Sequence, residues 1–197
     1  MRQLVIEPDR LLRQGQVDRQ LLAQSLLEHY FAPVHRLALS ILGDEAEADD
    51  VAQETFITAL RRLDRYDPQT NLKAWLSTIA VNLSRDRLRR RKARQRWSDL
   101  WHGAQRNPGG RGRDVEDGQL ARAATAALWS AVNALDEKHR LPVLLRYANG
   151  YAVREIAAVL QVPEGTIHSR LHHACRKLAV ALGEPDTEAL VMELFND

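Results

Sequence analysis

The residues best equipped for chemistry lie in one stretch, VPEGTIHSRLHHACRKL, from Val162 to Leu178. His168, His172, His173 and Cys175 fall within little more than two helical turns. Imidazole and thiolate are metal ligands, and His168, His172 and Cys175 stand at i, i+4 and i+7 on one flank of a helix. No CxxC or HExxH pairing accompanies them, and no fourth ligand is evident nearby. Cys175 lies close to the apolar stripe, where a lone cysteine behaves as a small hydrophobe. The second use of this stretch is contact with DNA. Ser169, His172, His173 and Arg176 lie opposite the apolar stripe, with His168 at its edge, and such groups suit phosphate oxygens and base edges in a major groove. That reading outweighs both a solvated face with no specific role and the metal, and no metal or cofactor is expected.

These side chains need a scaffold. Ile167, Leu171, Ala174 and Leu178 repeat at i, i+4, i+7 and i+11 and predict the buried stripe of a helix beginning near Glu164. Val153 to Leu160 predicts a short helix, and Gln161-Val162-Pro163 a tight turn between the two. Helix, short turn and helix form a helix-turn-helix pattern. Upstream, a helix is expected from Asp136 to Tyr147, bent or shifted by Pro142, with Asn149-Gly150 as the turn that follows. A helix-turn-helix alone does not separate one kind of DNA-binding protein from another.

The N-terminal half supplies more. From Leu21 to about Arg94 the apolar spacing is helical. QLLAQSLLEHYFAPVHRLALSIL predicts one or two helices interrupted near Pro33. In AEADDVAQETFITALRRL the core stripe is Val51, Ala52, Phe56, Ala59 and Leu63. The other face offers Asp50, Gln53, Glu54, Ile57 and Arg61, either a solvated surface or a docking surface with isoleucine at its centre. RYDPQTN is a turn. The helix after it buries Leu72, Trp75, Leu76, Ile79 and Leu83 and presents Lys73, Ser77, Ser84 and Arg85. It runs into eight basic residues against one acidic between Arg85 and Arg96. A helix dipole accounts for two or three of these cations; eight match the footprint of a phosphate backbone.

Between the halves, GAQRNPGGRGRDVEDG is rich in Gly, Pro and charge and reads as a linker. The expected organisation is all-α, with two small helical domains: residues 1–95 and 126–182, a linker over 96–125, and a short acidic tail over 183–197. The chain has 197 residues, 45% hydrophobic, with a net charge of +2 and one cysteine. One cysteine excludes an intrachain disulfide and fits a reducing compartment. The acidic residues near the N-terminus speak against a signal peptide, and no run approaches the roughly 20 apolar residues of a membrane span. A cytoplasmic protein is expected.

DDVAQETF, then RYDPQTNLKAWLSTIAVNLSRDRLRRR, then LDEKHRLPVLLRYANGYAVREIAAVLQVPEGTIHSRLHHACRKL resemble the extracytoplasmic-function (ECF) sigma factors of bacterial RNA polymerase. The likeness covers about Leu26 to Arg94, region 2, and Ala131 to Leu178, region 4. It implies a non-enzymatic factor that binds core polymerase, directs it to promoters and assists melting. Its implied partners are the β′ clamp helices and β subunit of core polymerase, promoter DNA and an anti-sigma factor, with no membrane insertion. The implied polymerase surface is Asp49, Asp50, Gln53, Glu54, Ile57 and Arg61. The −10 element is implied to meet Tyr66, Asp67, Asn71, Lys73, Ser77, Asn82, Arg85 and Arg89. The −35 element is implied to meet Thr166, His168, Ser169, Arg170, His172, His173 and Arg176. Gln161 replaces a common glycine, Pro142 an aliphatic residue, and His168 and Cys175 common cations, which implies fewer phosphate contacts. The alternative is a stand-alone helix-turn-helix regulator on duplex operator DNA. Two apolar clusters, Trp97/Leu100/Trp101 and Leu190/Val191/Leu194/Phe195, are further docking candidates, the second expected to fold back on region 4.

Overall fold

The computed structural model describes residues 8–13, 18–102 and 119–183. Every regular element among them is helical: α1 (Pro8–Arg13), α2 (Arg19–Leu42), α3 (Glu45–Arg61), α4 (Leu72–His102), α5 (Gln119–Ala134), α6 (Glu137–Val143), α7 (Val153–Leu160) and α8 (Glu164–Leu182). The helices at the two ends of the expected linker extend into it, α4 to His102 and α5 from Gln119. The acidic tail lies outside the described residues, as do residues 103–118.

Helices α2, α3 and α4 pack as one bundle. Asp18 starts α2 by accepting the Gln20 N–H at 2.8 Å. Gly43, at φ 68°, ends it in the left-handed conformation that glycine adopts without a Cβ penalty. Asp44 then caps α3 by accepting the Glu47 N–H at 2.9 Å. The interruption expected near Pro33 does not occur; α2 is a single helix through it. Leu22 and Leu26 before the proline and Val34, Leu37 and Ile41 after it are all buried in the same core. Each fully buried aliphatic side chain contributes about 1.5–3 kcal/mol, which together outweighs the roughly 3 kcal/mol of one interior proline.

Helices α5 to α8 form the second unit, with α8 packed on α5, α6 and α7. Pro142 lies inside α6. Helix α6 ends at Val143 and passes into a π-helical turn, Leu144–Ala148. Asn149 satisfies one carbonyl of that turn, donating from Nδ2 to Leu144 O at 2.8 Å, and donates also to Ser40 Oγ of α2 at 3.1 Å. Glu155 caps α7 by accepting the Ala152 N–H at 2.8 Å. Gln161 ends α7 at φ 55°, the one non-glycine residue with positive φ among those described. Glycine would adopt that conformation at no steric cost; glutamine adopts it against a penalty of about 1 kcal/mol.

The two units touch. Helix α4 packs along α7, and α2 meets the π-turn. Their apolar residues form one continuous core, from Leu76 and Ile79 on one side to Tyr151 and Val159 on the other.

Candidate functional site

Burial divides α3 as the spacing predicts. Val51, Ala52, Phe56 and Ala59 are buried, and Asp49, Asp50, Gln53, Glu54 and Arg61 are exposed. Ile57 is 50% exposed, an aliphatic group in the middle of a polar face. The carboxylates of this face are steered from both sides. His35 of α2 sets Nε2 3.2 Å from Asp49 Oδ1 and 3.6 Å from Glu45 Oε1, close enough for an ion pair but not in hydrogen-bond geometry. Arg87 of α4 donates from Nη1 to Asp50 Oδ2 at 2.9 Å and places Nη2 3.7 Å from Glu54 Oε2.

The loop before α4 is tied to itself. Tyr66 is buried, packs against Trp75 with ring centroids 4.9 Å apart and the rings tilted by 52°, and donates its hydroxyl to Thr70 O at 2.9 Å. Asp67 accepts the Gln69 N–H at 2.9 Å, and Thr70 Oγ1 donates back to Asp67 O at 2.6 Å. Asn71 accepts the Ala74 N–H at 3.1 Å as the cap of α4. Asp67 and Asn71 therefore build the loop, whatever else they touch.

Along α4 the candidate residues divide. Asn82 and Arg89 are exposed, and Arg89 lies 3.6 Å from Asp86. Lys73, Ser77 and Arg85 face the second unit. The Lys73 ammonium sits 4.1 Å above the ring of Tyr151, a cation–π contact. Ser77 is 1% exposed, and its Oγ lies 2.6 Å from the Tyr151 hydroxyl. Ser77 gives its one proton to Lys73 O at 2.6 Å, so Tyr151 is the donor between the two hydroxyls. Burial pushes the Tyr151 phenol above its ordinary range and keeps that proton in place. Arg85 donates from Nε to Glu137 Oε1 at 2.6 Å. Beside this pair is a cleft of about 420 Å³, lined also by Lys138, Leu160 and Arg170.

On α8, Ile167, Leu171, Ala174 and Leu178 are buried. His168, Ser169, His172, His173 and Arg176 are exposed together, Thr166 is half-buried, and Arg170 is half-buried on the cleft toward α4. Among the described residues no group of three or more His, Cys, Asp or Glu is placed to hold a metal. Cys175 instead lies 3.7 Å from the Tyr147 hydroxyl. Behind the exposed row, Asp136 accepts from Lys177 Nζ at 3.0 Å and lies 3.3 Å from His139 Nδ1. The Lys177 hydrogen bond holds the Asp136 carboxyl below its usual range, and burial lowers the His139 imidazole below its own.

Two family models match this chain: Sigma-70 region 2 over residues 26–94, and Sigma-70, region 4 over residues 125–178. An ECF RNA polymerase sigma factor of Rhodopseudomonas palustris, EcfG, is 32% identical over 164 residues, covering 82% of this chain and 87% of that one. The ECF factor SigL of Mycobacterium tuberculosis is 33% identical over 164 residues, covering 83% and 90%. This chain belongs to the ECF RNA polymerase sigma factors. It is a promoter-specificity subunit acting in transcription initiation. Two solved structures have the same fold. The RpoE factor of Bartonella quintana, in complex with the anti-sigma factor NepR, aligns with a TM-score of 0.61 at 26% identity over 81% of this chain and 95% of that one. CnrH, in complex with the cytosolic domain of CnrY, aligns at 0.62 and 25% identity over 89% and 95%.

Sequence reasoning about this sigma factor missed Tyr151, Glu137 and Asn149, the region 4 residues that hold region 2. Each is polar beside a turn or helix end, where a solvent-facing role is the ordinary expectation. It also grouped Arg85, Arg87 and Arg89 with the phosphate-binding cations, whereas each is engaged with a carboxylate here. A spacing pattern records which face of its own helix a residue occupies and not which helix lies opposite.

Proposed function

We propose that the α3 face, Asp49, Asp50, Gln53, Glu54, Ile57 and Arg61, docks on the β′ clamp helices of core polymerase. The Tyr66–Asn71 loop and the α4 face, with Lys73, Ser77, Asn82, Arg85 and Arg89, receive the −10 element and hold its separated strand. The exposed row of α8, from Thr166 to Arg176, reads the −35 element. In this scheme residues 1–95 are region 2 and 126–182 region 4, with the segment between as linker. The protein has no reaction to catalyse and needs no cofactor; melting follows from binding unpaired bases better than paired ones. It acts beside polymerase, in the cytoplasm.

One observation carries this reading: a half-exposed isoleucine inside an acidic and amide face on α3, on the opposite side of that helix from its core. A stand-alone operator-binding regulator has no use for such a face. The contacts between α4 and region 4 add a sequence of events. Ser77 and Lys73 are covered by Tyr151, so region 4 leaves α4 before the −10 strand enters, whereas α3 is open for polymerase beforehand. A state held in that closed form suits an anti-sigma factor, the kind of partner bound in the RpoE structure.

Run-off transcription with purified core polymerase on fragments of the source genome tests the reading. Promoter-dependent transcripts are expected only when the full chain is added. DNA binding by the chain alone, with no gain of transcripts, would favour the operator-binding alternative.

A further inference from the structure

We infer that Arg87 is a positioning residue for polymerase docking and not part of the DNA surface. The inference rests on the docking role proposed for α3. Arg87 stands in the basic run of α4, yet its guanidinium points at α3 and spans two carboxylates of the docking face, Asp50 at 2.9 Å and Glu54 at 3.7 Å. Its side chain is 28% exposed, against 63% for Asp50 and 51% for Glu54. The cation is thus tucked behind the pair, and the carboxylates remain presented to solvent. Ion pairs this exposed add little to stability. Helices α3 and α4 are held together by Phe56, Ala59, Leu76 and Ala80 in the shared core instead.

What Arg87 does control is where the carboxylates point. A planar guanidinium offers two prongs in a fixed fork, and here each prong takes a different residue, one helical turn apart on α3. Asp50 and Glu54 are therefore ordered before polymerase arrives. Ordering a long side chain on binding ordinarily costs affinity, and a surface already ordered escapes that loss. The effect appears in complex lifetime. Removing a cation from an acidic face, by contrast, would raise long-range attraction to a basic partner and speed association.

The two consequences have opposite signs, and binding kinetics of the full chain to core polymerase separate them. Arg87→Ala is expected to speed dissociation roughly three- to tenfold with association changed less than about twofold. Arg87→Lys, with charge but no fork, is expected to recover only part of that lifetime. In an Asp50→Asn, Glu54→Gln background, Arg87→Ala is expected to add nothing, which a general loss of helix packing would not reproduce. Unchanged or tighter binding by Arg87→Ala, where Asp50→Asn and Glu54→Gln do weaken it, would overturn the inference and leave the docking role standing. A loss confined to a single-stranded −10 oligonucleotide would also overturn it and return Arg87 to the DNA surface. If the Asn and Gln variants bind core normally, it is the docking role itself that fails.

Discussion

Helices α3 and α4 present two polar faces of one bundle, and they are treated oppositely. The α3 face is open. Asp49, Asp50, Gln53, Glu54 and Ile57 meet solvent; His35 lies beside Asp49, and Arg87 pairs with Asp50 and Glu54. The candidate −10 face of α4 is partly closed. Ser77 is buried under Tyr151, Lys73 lies on its ring, and Arg85 is paired with Glu137. A surface that binds first needs order and exposure together, whereas one that binds second can be occupied until it is needed. The difference teaches that the polarity of a face says little about its availability: both faces are rich in charge, and only the position of region 4 distinguishes them.

The sharpest way to break the comparison is to reverse the charge of the open face. Asp50→Lys with Glu54→Lys is expected to abolish association with core polymerase, a loss of 100-fold or more, of about 3 kcal/mol, with the helical circular dichroism unchanged. Core binding that survives both changes would remove α3 from the docking surface. A smaller effect is expected from unlatching the covered face. Tyr151→Phe keeps the ring under Lys73 but removes the hydroxyl that donates to Ser77, at a cost of about 1 kcal/mol to the closed arrangement. Binding of a single-stranded −10 oligonucleotide to the free factor should then rise about fivefold, with core docking unaffected. An unchanged oligonucleotide affinity would mean that the closed arrangement does not limit access.

The smallest effect concerns pH and touches only the region 4 side. The His139 imidazole has a folded pKa below its ordinary value, so between the two the unfolded chain binds more protons. Stability from this group is complete above about 6.5 and declines as pH falls toward the folded value. The Asp136 carboxyl, also lowered, keeps its contribution until pH falls below the ordinary carboxylate range and loses it through the folded pKa. From pH 7 to 5 the melting temperature is expected to drop by a few degrees, about the response to 1 kcal/mol or less. In His139→Gln the drop should shrink. An equal drop in both proteins would assign the acid sensitivity to other groups.

Most of the architecture was legible in the sequence because its apolar stripes are regular. Val51, Ala52, Phe56 and Ala59, or Ile167, Leu171, Ala174 and Leu178, fix which side of a helix is inside without reference to anything distant. The helix-turn-helix followed from Leu160, Gln161 and Pro163. Pro33 misled because a local penalty is visible in sequence, while the burial on both sides of it that offsets the penalty depends on α3 and α4. On α3 and α8 the exposed candidate residues lie on the face the spacing predicts, whereas Ser77 and Ser84 of α4, expected on an open face, are buried. Tyr151 to Ser77 spans 74 positions and Arg85 to Glu137 spans 52, and no periodicity within a helix encodes a pairing at such range. Trp97, in the linker cluster, is 66% exposed on α4; the side chains of Leu100 and Trp101 and the tail cluster from Leu190 to Phe195 lie outside the described residues.

The turn before α4 carries one more consequence. Tyr66, Asp67, Thr70 and Asn71 close their hydrogen bonds within a few residues of one another, with Trp75 packed against Tyr66. A segment so bound to itself has little conformational freedom left to surrender. A nucleotide that lodges against it gives up its own freedom while the protein gives up almost none. A loop built this way would select as a mould does, refusing a wrong base by misfit instead of stretching to accommodate a near match.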